Sequence, residues 1–422
     1  MPAVHEPIRP ICADKIEKMD SDQFQIFGQA SGPAISLHAE RPGPAPRISS
    51  VLIKPASALC NLDCSYCFYL DRNLDPYNDL AHRRMSNDTL ERLVDGFLFY
   101  SYPNSTFAFQ GGEPTLAGLP FYENLVKLQQ RLGRNGQSVS NALQTNGVLL
   151  DDTWGQLFHQ YNWLIGLSLD GPEELNDKYR FNKEGHGTFK WVMRGMEALQ
   201  RNKVDFNILC VVNRANVGKA KELYKFYKSL GVDNIQYIPL AEFGGVGRGL
   251  PYSITAEEYG RFLVETFEMW WPERRKMRIR FFDNLAEAVA GQKPGTCTMH
   301  ETCDSYAVVE YNGDVFPCDF FVESGWKLGN INDDSWPEIA RRNRRYSFAE
   351  KKTIKHAECQ VCDYQSICHG GCPKSRHGPN GQFEDLDYFC QSYKMIFARA
   401  VGPLEGELTK LLGKKITMPA RP

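Results

Sequence analysis

Cys60-Asn61-Leu62-Asp63-Cys64-Ser65-Tyr66-Cys67 places three thiols at C-x3-C-x2-C spacing. Three thiolates can hold three irons of a [4Fe-4S] cube, whose usual ligands are four cysteines. The fourth iron is then open to a ligand that is not protein. Zinc is the alternative, but a structural zinc site wants four closed ligands, usually as two short pairs. No fourth cysteine lies close, and His82 is the nearest histidine. Spacing alone favours the open iron–sulfur site and leaves zinc as the second reading.

Working outward from this loop, a strand–helix alternation begins at Ser50. Val51-Leu52-Ile53 is a short apolar run leading into the cysteines. Ser86 is placed to cap a helix whose apolar face is Leu90, Leu93, Val94, Phe97 and Leu98, at helical spacing. Strands are predicted at 106–110, 138–144, 163–169, 206–212 and 235–239. Helices are predicted at 121–132, 153–161 and 188–200, and a further stripe from Ala220 to Leu230 ends at Gly231. Six β–α repeats imply a parallel sheet with helices outside. Six are too few for a closed eight-stranded barrel, which leaves a partial (β/α)6 barrel or an open doubly wound sheet. Ligand sites gather at the carboxyl ends of the strands in both, and the cysteine loop follows the first strand. At the next strand end comes Gln110-Gly111-Gly112-Glu113-Pro114, where glycines allow close backbone approach and Glu113 can receive an ammonium group. Gln144-Thr145-Asn146-Gly147 and Ser168-Leu169-Asp170-Gly171-Pro172 follow the third and fourth strands. Ser168 can hydrogen-bond a ligand carboxylate, and Arg180 can pair with one or lie at the surface.

Three other features read as ordinary structure. Cys12 is expected to be a free thiol and Cys210 a packed core thiol. Gly244-Gly245-Val246-Gly247 is a loop, because no strand–G-x-G-x-x-G–helix unit surrounds it. Tyr259, Phe262, Leu263, Phe267 and Trp270 form a helical core stripe.

From Cys297 the composition changes. Cys297, Cys303, Cys318, Cys359, Cys362, Cys368, Cys372 and Cys390 account for eight of the thirteen cysteines. Among them, Asn312-Gly313 marks a hairpin between Val308–Tyr311 and Val315–Phe316. Eight thiolates suit two four-iron clusters or two four-cysteine zinc sites.

The 422 residues carry a formal net charge of −2, which offers no basic field for nucleic acid. No apolar run is long enough to span a bilayer. The first twenty residues lack the apolar core of a signal peptide. A cytoplasmic protein is expected, and thirteen cysteines there point to metal rather than disulfides. The expected division is an extension over 1–48, a barrel over 49–240, a linking helical region over 241–294, a cysteine module over 295–395, and a C-terminal helix and tail over 396–422.

C-x3-C-x-(aromatic)-C resembles the signature of radical S-adenosylmethionine (SAM) enzymes. Cys303-x9-Gly313-x4-Cys318, Cys359-x2-Cys362-x5-Cys368-x3-Cys372 and Cys390 resemble the SPASM pattern of such enzymes. Within that group the chain is most similar to the anaerobic sulfatase-maturating enzymes. Cys67-Phe68-Tyr69, Phe107–Thr115, Gln144–Gly147, Ser168–Pro172, Asn312–Val315, Cys318-Asp319, Leu328–Ile331 and Gly370–Pro373 carry the similarity.

The resemblance implies a partial (β/α)6 radical SAM barrel followed by a SPASM module. It implies three [4Fe-4S] clusters: one on Cys60, Cys64 and Cys67 that binds SAM, a nearer auxiliary one on Cys297, Cys303, Cys318 and Cys372, and an outer one on Cys359, Cys362, Cys368 and Cys390. Tyr66 is expected near the adenine of SAM and the Gln110–Glu113 segment at its methionine end. Tyr69, Ser168 and Arg180 complete the expected SAM-contacting set. Reductive cleavage of SAM would give a 5′-deoxyadenosyl radical. That radical would attack Cβ of a Cys or Ser in an unfolded sulfatase segment, leaving Cα-formylglycine. Asp319 matches the family's proposed base, and the excess electron would leave through the auxiliary clusters. Partners implied are the sulfatase polypeptide and an electron donor such as flavodoxin or ferredoxin. Two rivals stand beside this: another SPASM peptide modifier that forms thioether or carbon–carbon crosslinks, and a non-catalytic metal-stabilised scaffold.

Overall fold

The computed structural model describes residues 48–70, 83–243, 249–304, 306–345, 348–377 and 383–420. The extension up to residue 47 with Cys12, His82, and the Gly244–Gly247 loop lie outside them.

Six strands follow the predicted positions: β1 (Ser50–Lys54), β2 (Asn104–Phe109), β3 (Ser138–Thr145), β4 (Leu164–Ser168), β5 (Asp205–Val212) and β6 (Asn234–Pro239). They lie side by side in chain order, each parallel to the next. A doubly wound sheet reverses its order at a switch point. No reversal occurs here, so the partial barrel stands and the doubly wound alternative does not. β7 (Arg278–Ile279) extends the run beyond β6. It is a strand inside a region expected to be helical, and two residues are too few to leave a periodic signal.

Alternate residues along the strands serve two layers. Val51 and Ile53 pack with Leu90, Leu93 and Phe97 of the helix Asn87–Ser101. Ser86 caps that helix as expected, its Oγ accepting the Thr89 N–H at 3.1 Å. Leu52, Ala108 and Ala142 belong to a separate inner cluster. Closed barrels fill their interior with bulky branched side chains. Here Ala108, Ala142 and Gly166 are small, and they help line an inner space of about 420 Å³, part of it open to solvent, that Gln110, Gln144 and Asn207 also face. Cys210 is fully buried in the larger outer core, with Tyr259, Phe262, Leu263, Phe267 and Trp270.

The cysteine module continues the same sheet. β8 (Ala307–Glu310) and β9 (Asp314–Phe316) form the hairpin expected around Asn312-Gly313, whose glycine has φ 88°. β10 (Gly329–Asn330) pairs antiparallel with β9. β8 also pairs parallel with β1, on the side opposite β2, and puts Glu310 beside Lys54. The expected boundary near residue 294 therefore does not interrupt the sheet.

The C-terminal helix runs Cys390–Leu412. It begins at the cysteine itself rather than at 396. Its Ser392 Oγ donates to the Ala256 carbonyl at 2.5 Å, docking it on the helix Ala256–Trp270. No helix among the described residues is long and apolar enough to cross a membrane.

Candidate active site

Cys60, Cys64 and Cys67 occupy the loop that leaves β1. Its backbone is stitched on two sides. Asp63 and Ser65 N–H groups donate to the Phe181 and Tyr179 carbonyls at 2.8 and 3.0 Å. From β2, Gly112 and Glu113 N–H groups donate to the Ser57 and Leu59 carbonyls at 2.8 and 2.7 Å. A Cβ on Gly112 would overlap the Leu59 carbonyl, and Gly111 sits at φ 131°. The close approach that these glycines permit is thus to the cysteine loop.

Glu113 also has a structural task. It is fully buried. Oε1 accepts the Thr115 N–H, the Thr115 hydroxyl and the Thr145 hydroxyl at 3.0, 2.5 and 2.8 Å, and Oε2 accepts the Asn146 N–H at 2.8 Å. These bonds latch the ends of β2 and β3 together. The carboxylate thus takes donors from the protein's own strand ends, a role the sequence did not show.

Tyr66, Asp170 and Arg180 form a buried chain behind the loop. The Tyr66 hydroxyl donates to Asp170 Oδ2 at 2.5 Å and accepts from Arg180 Nη1 at 2.9 Å. Arg180 is only 6 % exposed, which excludes the surface reading, and its Nε is buried without a hydrogen-bond partner among the described residues. Ser168 ends β4 half-buried. Burial pushes the Cys60 thiol up to about 12, with the Glu113 charge adding to it. Burial also raises Cys64, against the pull of Arg180.

Asp319 is the hub of a second buried cluster. Lys54 Nζ lies 2.7 Å from Asp319 Oδ1 and 3.6 Å from Glu310 Oε1. Tyr69 donates its hydroxyl to both Asp319 oxygens at 3.0 Å, and Gln110 Nε2 donates to Oδ2 at 3.4 Å. The Lys54 ammonium also stands over the Tyr69 ring, 4.7 Å from its centre. Burial opposes the charge on Lys54, but Asp319 and then Glu310 outweigh it, and its proton is held more tightly than usual. Tyr69 and Gln110, expected among the SAM contacts, are therefore directed at the carboxylate beside Cys318. Phe68 and Phe320 flank this cluster, with ring centres 5.2 Å apart.

The remaining cysteines separate into two quartets. Cys359, Cys362, Cys368 and Cys390 line one cavity of about 440 Å³, part of it open to solvent. Cys297, Cys303, Cys318 and Cys372 lie within electrostatic reach of one another. Burial pushes Cys303 and Cys368 up to about 12, and Cys372 and Cys390 to about 11. Asp387 stands between the quartets. It accepts the Cys372 N–H at 2.8 Å and the Phe389 N–H at 2.7 Å, and it also lines the outer cavity.

Residues 55–227 match the radical SAM superfamily, and residues 297–363 match an iron–sulfur cluster-binding domain. A cysteine-type anaerobic sulfatase-maturating enzyme of Clostridium perfringens is 38 % identical over 358 residues, covering 83 % of this chain and 96 % of that one. The chain belongs to the anaerobic sulfatase-maturating enzymes. A serine-type member from Bacteroides thetaiotaomicron is 35 % identical over 370 residues, covering 82 % of this chain and 88 % of its own. The solved structure described as native anSMEcpe with bound AdoMet and Kp18Cys peptide superposes with a TM-score of 0.79 at 37 % identity, over 86 % of this chain and 99 % of that one.

The donor chemistry fits the family's iron–sulfur cofactors. Each quartet offers four cysteine sulfurs. Among the described residues, no three His, Cys, Asp or Glu side chains meet as the ligands of a single ion do. The outer quartet lines one cavity, and cysteine thiolates are the ligands a four-iron cube takes. Metal coordination also deprotonates a thiol that burial otherwise keeps protonated.

Lys54, Glu310, Asp170 and Asp387 are the site residues that the sequence alone did not reveal. Lys54 and Asp170 carried local signals: a lone charge closing an apolar strand, and the aspartate already quoted at the end of β4. Glu310 and Asp387 had none.

Proposed function

We propose that this sulfatase-maturating family member converts a Cys or Ser of an unfolded sulfatase segment to Cα-formylglycine under anaerobic conditions. The observation that carries the reading is the buried Asp319, held by Lys54, Tyr69 and Gln110 next to Cys318. When bound, SAM and the three [4Fe-4S] clusters supply a 5′-deoxyadenosyl radical to take a hydrogen atom from Cβ of the target, and a sink for the excess electron.

In this reading Cys60, Cys64 and Cys67 hold the SAM-binding cluster, and the two quartets hold the auxiliary pair. Tyr66, Ser168 and Arg180 border the SAM end. Glu113, Gly111 and Gly112 keep the cysteine loop at a fixed height above the sheet. Asp319 receives the thiol or hydroxyl proton of the target at a carboxylate oxygen. Lys54 orients that carboxylate, and Tyr69 and Gln110 restrict its rotation. The reductant is a small donor such as flavodoxin or ferredoxin, and the setting is cytoplasmic.

The test is mass spectrometry of an anaerobic reaction of the reconstituted protein with SAM, reductant and sulfatase-derived peptides bearing Cys or Ser at the target. Formylglycine together with 5′-deoxyadenosine is expected. Deoxyadenosine with unmodified peptide would overturn the substrate assignment, and neither product from fully loaded protein would overturn the chemistry.

A further inference from the structure

Lys352 has no exposed surface. Its ammonium donates to the carbonyls of Cys297 and Thr298 at 2.7 and 3.0 Å. A buried ammonium usually lies against a carboxylate, because an unpaired charge is costly to take out of water. No carboxylate forms an ion pair with Lys352 among the described residues. Around it stand the sulfurs of Cys297, Cys303 and Cys372, three of the four members of the inner quartet: burial lowers the lysine's pKa from its ordinary value, and these sulfurs, as thiolates, act to raise it. Asp387 and Cys368 of the outer quartet lie at longer range.

Lys352 is also held in place. The preceding segment is pinned by Phe348, whose ring packs against Phe321, Trp326 and Phe383. The Cys303 N–H donates to the Ala349 carbonyl at 3.2 Å. Arg376 Nη1 donates to the Lys352 carbonyl at 3.1 Å, and its other nitrogens bind the Gly370 and His369 carbonyls. The outer quartet feels Lys352 and the buried Arg376 more remotely, at Cys368 and Cys359, and has a second lysine at its edge. Lys394 lines that cavity at its rim, half-buried and paired with Glu358 at 3.4 Å, where solvent screens it.

We infer that Lys352 is a fixed buried cation that raises the reduction potential of the inner auxiliary cluster. A cluster gains negative charge when reduced, and net charge and burial are among the factors that set its potential. A cation in a low-dielectric wall favours the reduced form more than one at a wet rim. The inference rests on the proposal that the quartets hold clusters, and goes beyond it by assigning a potential-setting residue to one of them.

The test uses the full chain with Cys60, Cys64 and Cys67 changed to Ala, so that the auxiliary pair is observed alone. Iron and sulfide are assayed, and each cluster's midpoint is measured by redox titration followed by electron paramagnetic resonance. Lys352→Gln keeps N–H donors for the two carbonyls but removes the charge, whereas Lys352→Arg keeps the charge. With Gln, one reduction equilibrium is expected to fall at least tenfold, which is 59 mV for a one-electron couple, while the other moves less. With Arg, both are expected to stay near the starting values. Unshifted midpoints in a fully loaded Gln variant would overturn the inference, as would equal shifts with Gln and Arg. Loss of the inner cluster with Gln but not Arg would overturn tuning in favour of assembly. Absence of iron before any change at Lys352 would defeat the cluster assignment instead.

Discussion

Asp319 and Lys54 make a buried ion pair whose two members play unequal parts. Removing the carboxylate should abolish a proton transfer without touching SAM. Asp319→Asn is therefore expected to retain its clusters and 5′-deoxyadenosine formation while peptide oxidation falls about 10²–10⁴-fold, the usual weight of general base catalysis. Comparing deoxyadenosine and formylglycine yields checks this, and wild-type turnover would exclude the role. Changing Lys54 leaves Asp319 buried without its cation among the described residues. Breaking one side of such a pair costs about 3–5 kcal/mol, so Lys54→Met should show a much lower denaturant midpoint as well as poor turnover. The chemistry of Asp319 could be suspected from its place after Cys318. Its partner could not, because Lys54 reads locally as the polar end of Val51-Leu52-Ile53. Only the pairing of β1 with β8 buries it.

At the scale of elements, the cysteine loop is held from outside itself. Gly112 gives the loop room, and Glu113 ties β2 to β3. Gly112→Ala would push the loop off the sheet and leave the two quartets untouched. The variant is expected to lose about one third of its iron, corresponding to one of three four-iron clusters, with the auxiliary signals retained. Full iron content would show that the loop tolerates the side chain. Glu113→Gln replaces charge-assisted bonds by neutral ones and is expected to cost about 2 kcal/mol. It should also weaken SAM binding, which a titration by tryptophan fluorescence would follow. Unchanged stability and affinity would rule out the latch. The six main strands were legible because each has several apolar residues between turn signals. β7 and β10 were not, since two residues carry no period. The hairpin was legible from Asn312-Gly313, but its attachment to β1 depends on a register between distant segments that no local pattern records.

Across the whole molecule, cysteines from loops far apart in sequence gather in two groups, with Asp387 between them. Buried Phe321, Phe348 and Ile367 order part of this module, and cluster ligation is expected to order the cysteine-bearing loops. Anaerobic removal of iron with a chelator is expected to expose residues 297–390 to protease before the barrel is cut. Simultaneous cleavage of both regions would show that the module does not depend on metal. The separation into inner and outer quartets followed from cysteine order only through the family resemblance. Spacing alone could not say which sulfurs share a space, because chain order and spatial order differ between Cys368 and Cys390.

The parallel pairing of β8 with β1 has a further consequence for biosynthesis. The ribosome delivers Val51-Leu52-Ile53 early and Ala307–Glu310 late, so one edge of the first strand waits for its neighbour through most of translation. An unsatisfied apolar edge is a template for association with other chains, and pairings this remote in sequence form slowly. Polypeptides terminated before Ala307 should therefore collect in the insoluble fraction even though they contain all six barrel repeats.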